Sequence, residues 1–216
     1  MPNNTEASVS DGQLGAAPIE AGPVRLHRPR TEVFIACSMD GFIARPDGAL
    51  DWLMQAQASA PPDEDFGYAA FMAAVDAVVM GRKTFETVLG FDPWPYAGKP
   101  VHVMTRQRAL SVPAALREHV RLRHESPSAL LAGLAVDGVR SVYLDGGELI
   151  QAFLAENLVD RLTITTVPVL IGCGRRLFGA LPEDMQWTLD TVRHHNDCGF
   201  VQTRWQRGAR PPSRNA

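Results

Sequence analysis

Val78-Val79-Met80-Gly81-Arg82-Lys83-Thr84-Phe85-Glu86 is the stretch on which the reading of this chain turns. An apolar, β-branched run fit for a buried strand stops at a glycine, and two cations and a hydroxyl follow at once. Glycine lets the backbone turn sharply into a helix whose first N–H groups have no internal partners. Those donors, the positive end of the helix, and Arg82, Lys83 and Thr84 together make a site suited to a phosphate. The alternative is a pair of solvated cations. Cations are misplaced against the dipole at a helix start, which favours the anion site.

Outward from this turn, strand and helix patterns alternate. Val33 to Cys37 is an apolar run fit for an interior strand. Pro61 to Asp65 reads as a helix lead-in, with Asp65 able to cap the first turn. Tyr68, Phe71, Met72 and Val75 then fall on one helical face. Val101 to Met104 is a further strand ending at Thr105-Arg106, and residues 113–119 and 126–136 read as helices around a strand at 120–123. Val139 to Leu144 runs into Asp145-Gly146-Gly147-Glu148, a second glycine turn from strand to helix. Arg161 to Leu170 is a long β-branched strand. Trp187 to Arg193 and Phe200 to Trp205 read as an antiparallel pair turning near Asn196-Asp197. The expected architecture is a largely parallel α/β sheet flanked by helices and finished by antiparallel strands.

In an open α/β sheet the ligand crevice lies outside the carboxyl ends of the strands. Two glycine turns there, with Thr105 and Arg106 closing a third strand at the same edge, fit a dinucleotide carrying an extra phosphate. Neither GxGxxG nor GxxxxGK[ST] occurs, so the site is not of the Rossmann or P-loop kind.

Composition narrows the remaining possibilities. A net charge of −3 gives no general attraction to nucleic acid or an anionic membrane. No apolar run approaches the roughly 20 residues of a membrane helix. Cys37, Cys173 and Cys198 are scattered without CxxC spacing, and the histidines lack ligand spacing. No metal site is therefore expected, and a reducing cytoplasm is the natural setting. Residues 1–30 and 207–216 are rich in polar residues, Gly and Pro without periodicity, and read as disordered tails around a single domain at 31–206.

Four separated motifs carry a family resemblance: Ser38-Met39-Asp40-Gly41-Phe42-Ile43-Ala44, Asp51-Trp52-Leu53, Val79 to Glu86, and Gly146-Gly147. In this order they resemble the dihydrofolate reductase-like superfamily. The chain is most similar to the reductase domain of the riboflavin-biosynthesis deaminase–reductase, in a stand-alone form. Residues 158–174 resemble that domain's late strand and glycine turn. The resemblance implies an α/β fold of that type and an NADPH-dependent oxidoreductase acting on a planar heterocycle. It implies that Gly81, Arg82, Lys83 and Thr84 hold the cofactor's phosphates, with Thr105 and Arg106 near the adenosine 2′-phosphate. Gly146, Gly147, Glu148, Leu149 and Ile150 would line the pyrophosphate and nicotinamide side, and Ala36 and Ile43 would flank the nicotinamide. Residues 40–52 match a mobile covering loop, in which Gly41 and Gly48 read either as hinges or as ordinary turn glycines.

Asp65 lies 16 residues before Gly81, the spacing of the catalytic carboxylate in dihydrofolate reductases. It is the candidate proton donor, or else a helix-start acid. Asp40, Trp52 and Asp65 are the candidates for substrate contact. Asp40 also reads as a structural turn acid, and Trp52 as a core indole. The riboflavin-pathway reductases carry cationic and Asp-Asn-Pro segments where this chain has residues 65–72 and the aromatic stretch 90–96. That departure puts binding of a ribose phosphate in question. No deaminase signature is present. A homodimer pairing through Pro168 to Ile171 is also implied. Dihydrofolate reductase activity, a nicotinamide-nucleotide-binding protein without catalysis, and a flavin module stand as alternatives.

Overall fold

The computed structural model describes residues 28–208. The tails expected at 1–30 and 207–216 lie, apart from residues 28–30 and 207–208, outside the described residues. Strand β1 (Arg30–Ser38) opens the fold, followed by β2 (Phe42–Ala44), α1 (Asp51–Gln57) and α2 (Tyr68–Ala74). Strand β3 (Ala77–Gly81) leads into α3 (Arg82–Val88), then β4 (Val101–Met104), β5 (Val120–Arg123) and α4 (Pro127–Val136). Strand β6 (Ser141–Asp145) feeds α5 (Gly147–Ala155), and β7 (Arg161–Val167), β8 (Arg175–Arg176), β9 (Trp187–His195) and β10 (Phe200–Arg207) complete the chain.

One eight-stranded sheet runs in the order β5-β4-β3-β6-β1-β7-β10-β9, and β2 and β8 form a separate two-stranded ribbon. The six strands from β5 to β7 are parallel; β10 and β9 join antiparallel. This is the mostly parallel α/β sheet with an antiparallel pair that the sequence pattern predicts. Central β3 is apolar at every position from Ala77 to Met80 because both of its faces are covered. On one face Val33, Val79 and Leu144 pack against Leu130, Leu131 and Leu134 of α4 and Ile150 and Phe153 of α5. On the other, Val78, Met80 and Val103 meet Phe85 and Val88 of α3, with Tyr68, Phe71 and Met72 of α2 at the margin.

Three local expectations change. Residues 113–119 make only a single 3-10 turn at Ala114–Leu116, because β5 begins at Val120 and leaves no room for a second turn. Strand β7 ends at Val167 rather than Leu170, since Pro168 has no N–H to continue a ladder. The stretch 40–52 is not one open loop: Phe42–Ala44 pairs with β8, and α1 starts at Asp51.

Candidate active site

Parallel strands that alternate in chain order leave a crevice where neighbouring connections depart to opposite sides. Here β6 returns to lie between β3 and β1, so the turns after β3 and β6 are side by side. They open into a cleft of about 1220 Å³ at the carboxyl ends of these strands and of β4.

The two turns are joined by contact. Gly146 adopts φ +99°, and a Cβ there would stand 2.0 Å from Thr84 Oγ1. The Thr84 hydroxyl thus rests directly on the Gly146 backbone, a closeness no other residue permits. A Cβ on Gly147 would meet Ile43 Cδ1 at 2.6 Å, so Ile43 of β2 lies over the start of α5. Lys83 Nζ donates to Glu148 Oε1 at 2.6 Å, linking the starts of α3 and α5, and Arg82 donates to Glu86 at 2.7 Å. Lys83 holds the Glu148 carboxyl below its ordinary range. Gly81, Arg82, Lys83, Thr84, Gly146, Gly147, Glu148 and Leu149 all line the cleft, as do Ala36 and Ile43. Ile150 does not. It faces the core on the buried side of α5, between Leu149 and Gln151, which do line the cleft.

At the outer edge Thr105 and Arg106 line the same cleft. The Thr105 hydroxyl accepts from the Gln107 amide at 3.0 Å, and the Thr105 carbonyl lies 2.7 Å from His124 Nδ1. Arg123, His124 and Ser126 join them from the end of β5 and the cap of α4. The sequence reading did not place these three in the site. The legible signal was Ser126-Pro127, a cap and first-turn proline that open a helix at the carboxyl end of a strand. His102, by contrast, is buried inside β4, where burial pushes its pKa down to about 4.

The opposite wall is the β2–β8 ribbon. The Arg175 guanidinium packs against Gly48 and donates to the Pro46 carbonyl at 3.3 Å, while Arg176 lies 4.5 Å over the Phe42 ring. Both arginines line the cleft.

The three candidates for substrate contact stand outside it. Asp40 accepts from Ser38 at 2.5 Å, Gly172 N at 2.7 Å and Ile171 N at 3.3 Å, which ties the β1–β2 turn to the segment before β8. The Ser38 hydroxyl, then those amides, hold its carboxyl below the ordinary range. Trp52 is buried with Phe66, Val167 and Phe200, because α1 presents that face to the sheet. Asp65 accepts from Ala69 N at 2.8 Å and Gly67 N at 2.7 Å, closing the entry to α2. The Ala69 amide, then that of Gly67, holds its carboxyl below the ordinary range. Asp65 therefore braces the entry to α2 and does not line the cleft where the resemblance placed a proton donor.

Asp145 of the second glycine turn and Tyr96 of the aromatic stretch 90–96 both face the cleft. Asp145, at the end of β6, receives a short hydrogen bond from the Tyr96 hydroxyl. Among the described residues no group of three or more His, Cys, Asp and Glu converges to hold a metal. No helix among them is long and apolar enough to cross a membrane.

The donor set suits a phosphorylated nucleotide. It comprises a half-buried cation at Arg82 and an exposed one at Lys83, hydroxyls at Thr84 and Ser126, and two turns where glycine brings the backbone to the cleft surface.

Residues 30–199 match the RibD C-terminal domain family. The chain is 35% identical over 162 residues to the uncharacterized Bacillus subtilis protein YwjB, covering 74% of this chain and 88% of that protein. A crystal structure from Shewanella sp. PV-4, provisionally assigned to riboflavin biosynthesis, is similar at 38% identity and TM-score 0.77. The match covers 83% of this chain and 99% of the other. The Thermotoga maritima diaminohydroxyphosphoribosylaminopyrimidine deaminase/5-amino-6-(5-phosphoribosylamino)uracil reductase shares the fold at TM-score 0.63 and 16% identity. There the match spans 84% of this chain and 57% of that one.

Proposed function

The chain belongs to the RibD C-terminal domain family, and from that membership we propose that it is an NADPH-dependent reductase of a planar heterocycle, of the 5-amino-6-(5-phosphoribosylamino)uracil reductase type. The observation that carries this reading is the pair of glycine turns on adjacent strands, held in contact by Thr84 over Gly146 and opening into one cleft.

In this reading Arg82, Lys83 and Thr84 bind the cofactor's phosphates beside the first turn of α5. Thr105, Arg106, Arg123 and Ser126 receive the 2′-phosphate at the outer edge. When bound, the reduced nicotinamide supplies a hydride. Ala36, Ile43 and Leu149 offer an apolar wall that orients a flat ring and keeps water from it. The Gly48 turn, braced by Arg175, lines the cleft and would cover the bound ring. The substrate enters beside Phe91 and Tyr96, which line the cleft; Trp94 instead packs edge-on against Tyr96 at 5.3 Å. The cations missing from segments 65–72 and 90–96 have a counterpart in Arg175 and Arg176, which gives a phosphate-bearing substrate a place to dock. A cytoplasmic homodimer completes the proposal, with exposed Leu170 beside Pro168 as the pairing surface. A monomeric mass by light scattering at micromolar concentration would refute the dimer.

The test is a titration of NADPH and NADH, followed by nicotinamide fluorescence, with Arg82→Ala as control. NADPH preference weakened in the variant, followed by oxidation of NADPH on addition of the aminouracil, is the expected result. Turnover of dihydrofolate instead would reassign the substrate. Tight binding with no turnover would make the chain a nucleotide-binding protein. No binding of either cofactor would end the reductase reading.

A further inference from the structure

The pole of the sheet opposite the cleft carries a charge that the reaction does not use. There β1 and β7 begin and β10 ends, on three neighbouring strands in which Glu32, Arg161 and Gln206 stand side by side. These strand ends frame an open depression of about 400 Å³. Its lining is Arg28, Arg30, Arg161, Arg207, Asp160 and Gln206, four guanidiniums against one carboxylate and no apolar side chain. The chain as a whole stands at −3, so the excess of cations is local. Arg30 and the cleft residue Ala36 are six steps apart along β1, about 20 Å at roughly 3.3 Å per residue.

The carboxylates at this pole do not balance the cations. Asp160 is saturated: it takes Arg28 through both oxygens at 2.7 and 2.6 Å, the Thr31 amide at 2.8 Å and the Thr31 hydroxyl at 3.1 Å. Glu32 accepts from Arg30 Nε at 2.6 Å, whereas Arg161 Nη1 stands 3.8 Å from its other oxygen, past hydrogen-bonding distance. Asp190 of β9 is taken by Arg204 at 2.5 Å. Arg207 donates to neutral oxygens, Asn157 Oδ1 at 2.9 Å and the Gln186 carbonyl at 3.3 Å, and its guanidinium lies 5.6 Å over the Trp187 ring. Among the described residues the Arg161 guanidinium donates no hydrogen bond, and Arg30 commits only its Nε. Four guanidiniums thus face Asp160 and Glu32. The two without a hydrogen-bonded carboxylate, Arg161 and Arg207, sit on adjacent strands.

We propose that this depression is a binding site for a phosphate group, separate from the cleft and independent of the reductase reading. Arg161 and the uncommitted Nη edge of Arg30 hold the phosphate oxygens, and Arg207 turns from Trp187 to meet them. Guanidinium suits this role because its planar fork donates parallel, charge-assisted N–H bonds to an oxyanion. A dianionic phosphate cancels the two charges that Asp160 and Glu32 leave over; a monovalent anion cancels only one. The volume lies within the range of small-molecule sites and admits a phosphate with a sugar-sized substituent. No apolar or aromatic side chain lines the depression, so a heterocycle finds nothing to stack on. The ligand class is therefore free phosphate or the phosphate monoester of a polar carrier.

Trp187 reports on the site, because Arg207 lies over its ring. Orthophosphate titrated into the full chain at constant ionic strength should change tryptophan emission with a dissociation constant of about 1 mM. It should also raise the melting temperature, a readout that does not depend on Trp187. Arg161→Gln should weaken both responses about tenfold, the worth of a charge-assisted hydrogen bond. Arg161→Gln combined with Arg207→Gln should abolish the rise in melting temperature, with urea unfolding showing that the variant is folded. Arg82→Ala should change neither response, since its cation belongs to the other pole. Ribose 5-phosphate is the second arm. Tighter binding than orthophosphate identifies a monoester as the ligand, equal binding identifies free phosphate, and either upholds the site. A response that chloride reproduces at the same ionic strength, or that survives in the double variant, would overturn the proposal. So would a response lost in Arg82→Ala, which places the phosphate in the cleft, or binding confined to a long polyanion such as heparin.

Discussion

The two glycine turns look alike in the sequence and behave differently in the fold. Gly81 ends β3 at φ −80° and ψ 159°, an extended conformation open to any residue, and a Cβ there would meet only Leu149 Cβ at an ordinary 3.9 Å. Gly146 ends the neighbouring strand at φ +99° and ψ 134°, with Thr84 Oγ1 where a Cβ would be. One glycine leaves space for whatever the cleft holds. The other is demanded by the protein's own backbone and by the threonine of the first turn. The same residue after the same kind of strand thus leaves space open in one place and is fixed by the fold in the other.

Substituting the two glycines is the sharpest way to break this contrast. Gly146→Ala should destabilise the protein by about 3 kcal/mol or more in urea unfolding, through its positive φ and the Thr84 clash. Adding Thr84→Ala should return part of that loss, because it removes the clash and leaves only the backbone strain. Equal stability of the single variant and wild type would show that the two turns are not different after all. Gly81→Ala should change stability by no more than about 0.5 kcal/mol. It should still weaken NADPH binding about tenfold, equivalent to about 1.4 kcal/mol, read by nicotinamide fluorescence.

Glu148 sharpens the comparison from the charged side. Its carboxylate engages Lys83, the cation that the proposed phosphate would use. Glu148→Gln should therefore tighten NADPH binding by about threefold at low salt, an effect of the size exposed charges have and one that salt should erase. Looser binding would mean that Glu148 touches the cofactor directly. The smallest effect belongs to Asp65, a residue remote from both turns. Asp65→Asn should cost about 0.5–1 kcal/mol of stability, as loss of a helix-start cap does, and leave hydride transfer unchanged. The sign of its pH dependence follows from its depressed pKa: the contribution is present above the unfolded carboxylate pKa and fades as pH falls through the lower folded one. A collapse of turnover in Asp65→Asn would establish it as the proton donor.

Most of the sheet was legible because its signals are local. Four consecutive apolar residues from Ala77 to Met80 announce a strand covered on both faces, and Leu149, Ile150, Phe153 and Leu154 announce the buried side of α5. The proposed phosphate site at residues 81–84 was legible for the same reason, since glycine, cations and hydroxyl stand next to one another in the chain. Asp145 and Tyr96 were not, because they are 49 residues apart and only the placing of β6 beside β3 brings the phenol to the carboxyl. Asp65 illustrates the converse. Its spacing to Gly81 matched a catalytic pattern, but two amides only two and four residues ahead of it claim its carboxylate.

By itself the sequence determined the α/β class, the glycine turns and the cationic helix start, because period, turn chemistry and adjacent charge are properties of neighbouring residues. Tertiary structure alone decided which glycine is obligatory, which carboxyls face the cleft and which one closes the entry to a helix. Those outcomes depend on distances between strands that the chain visits far apart, and on whether a carboxyl's nearest donors are amides of its own turn or hydroxyls from across the sheet.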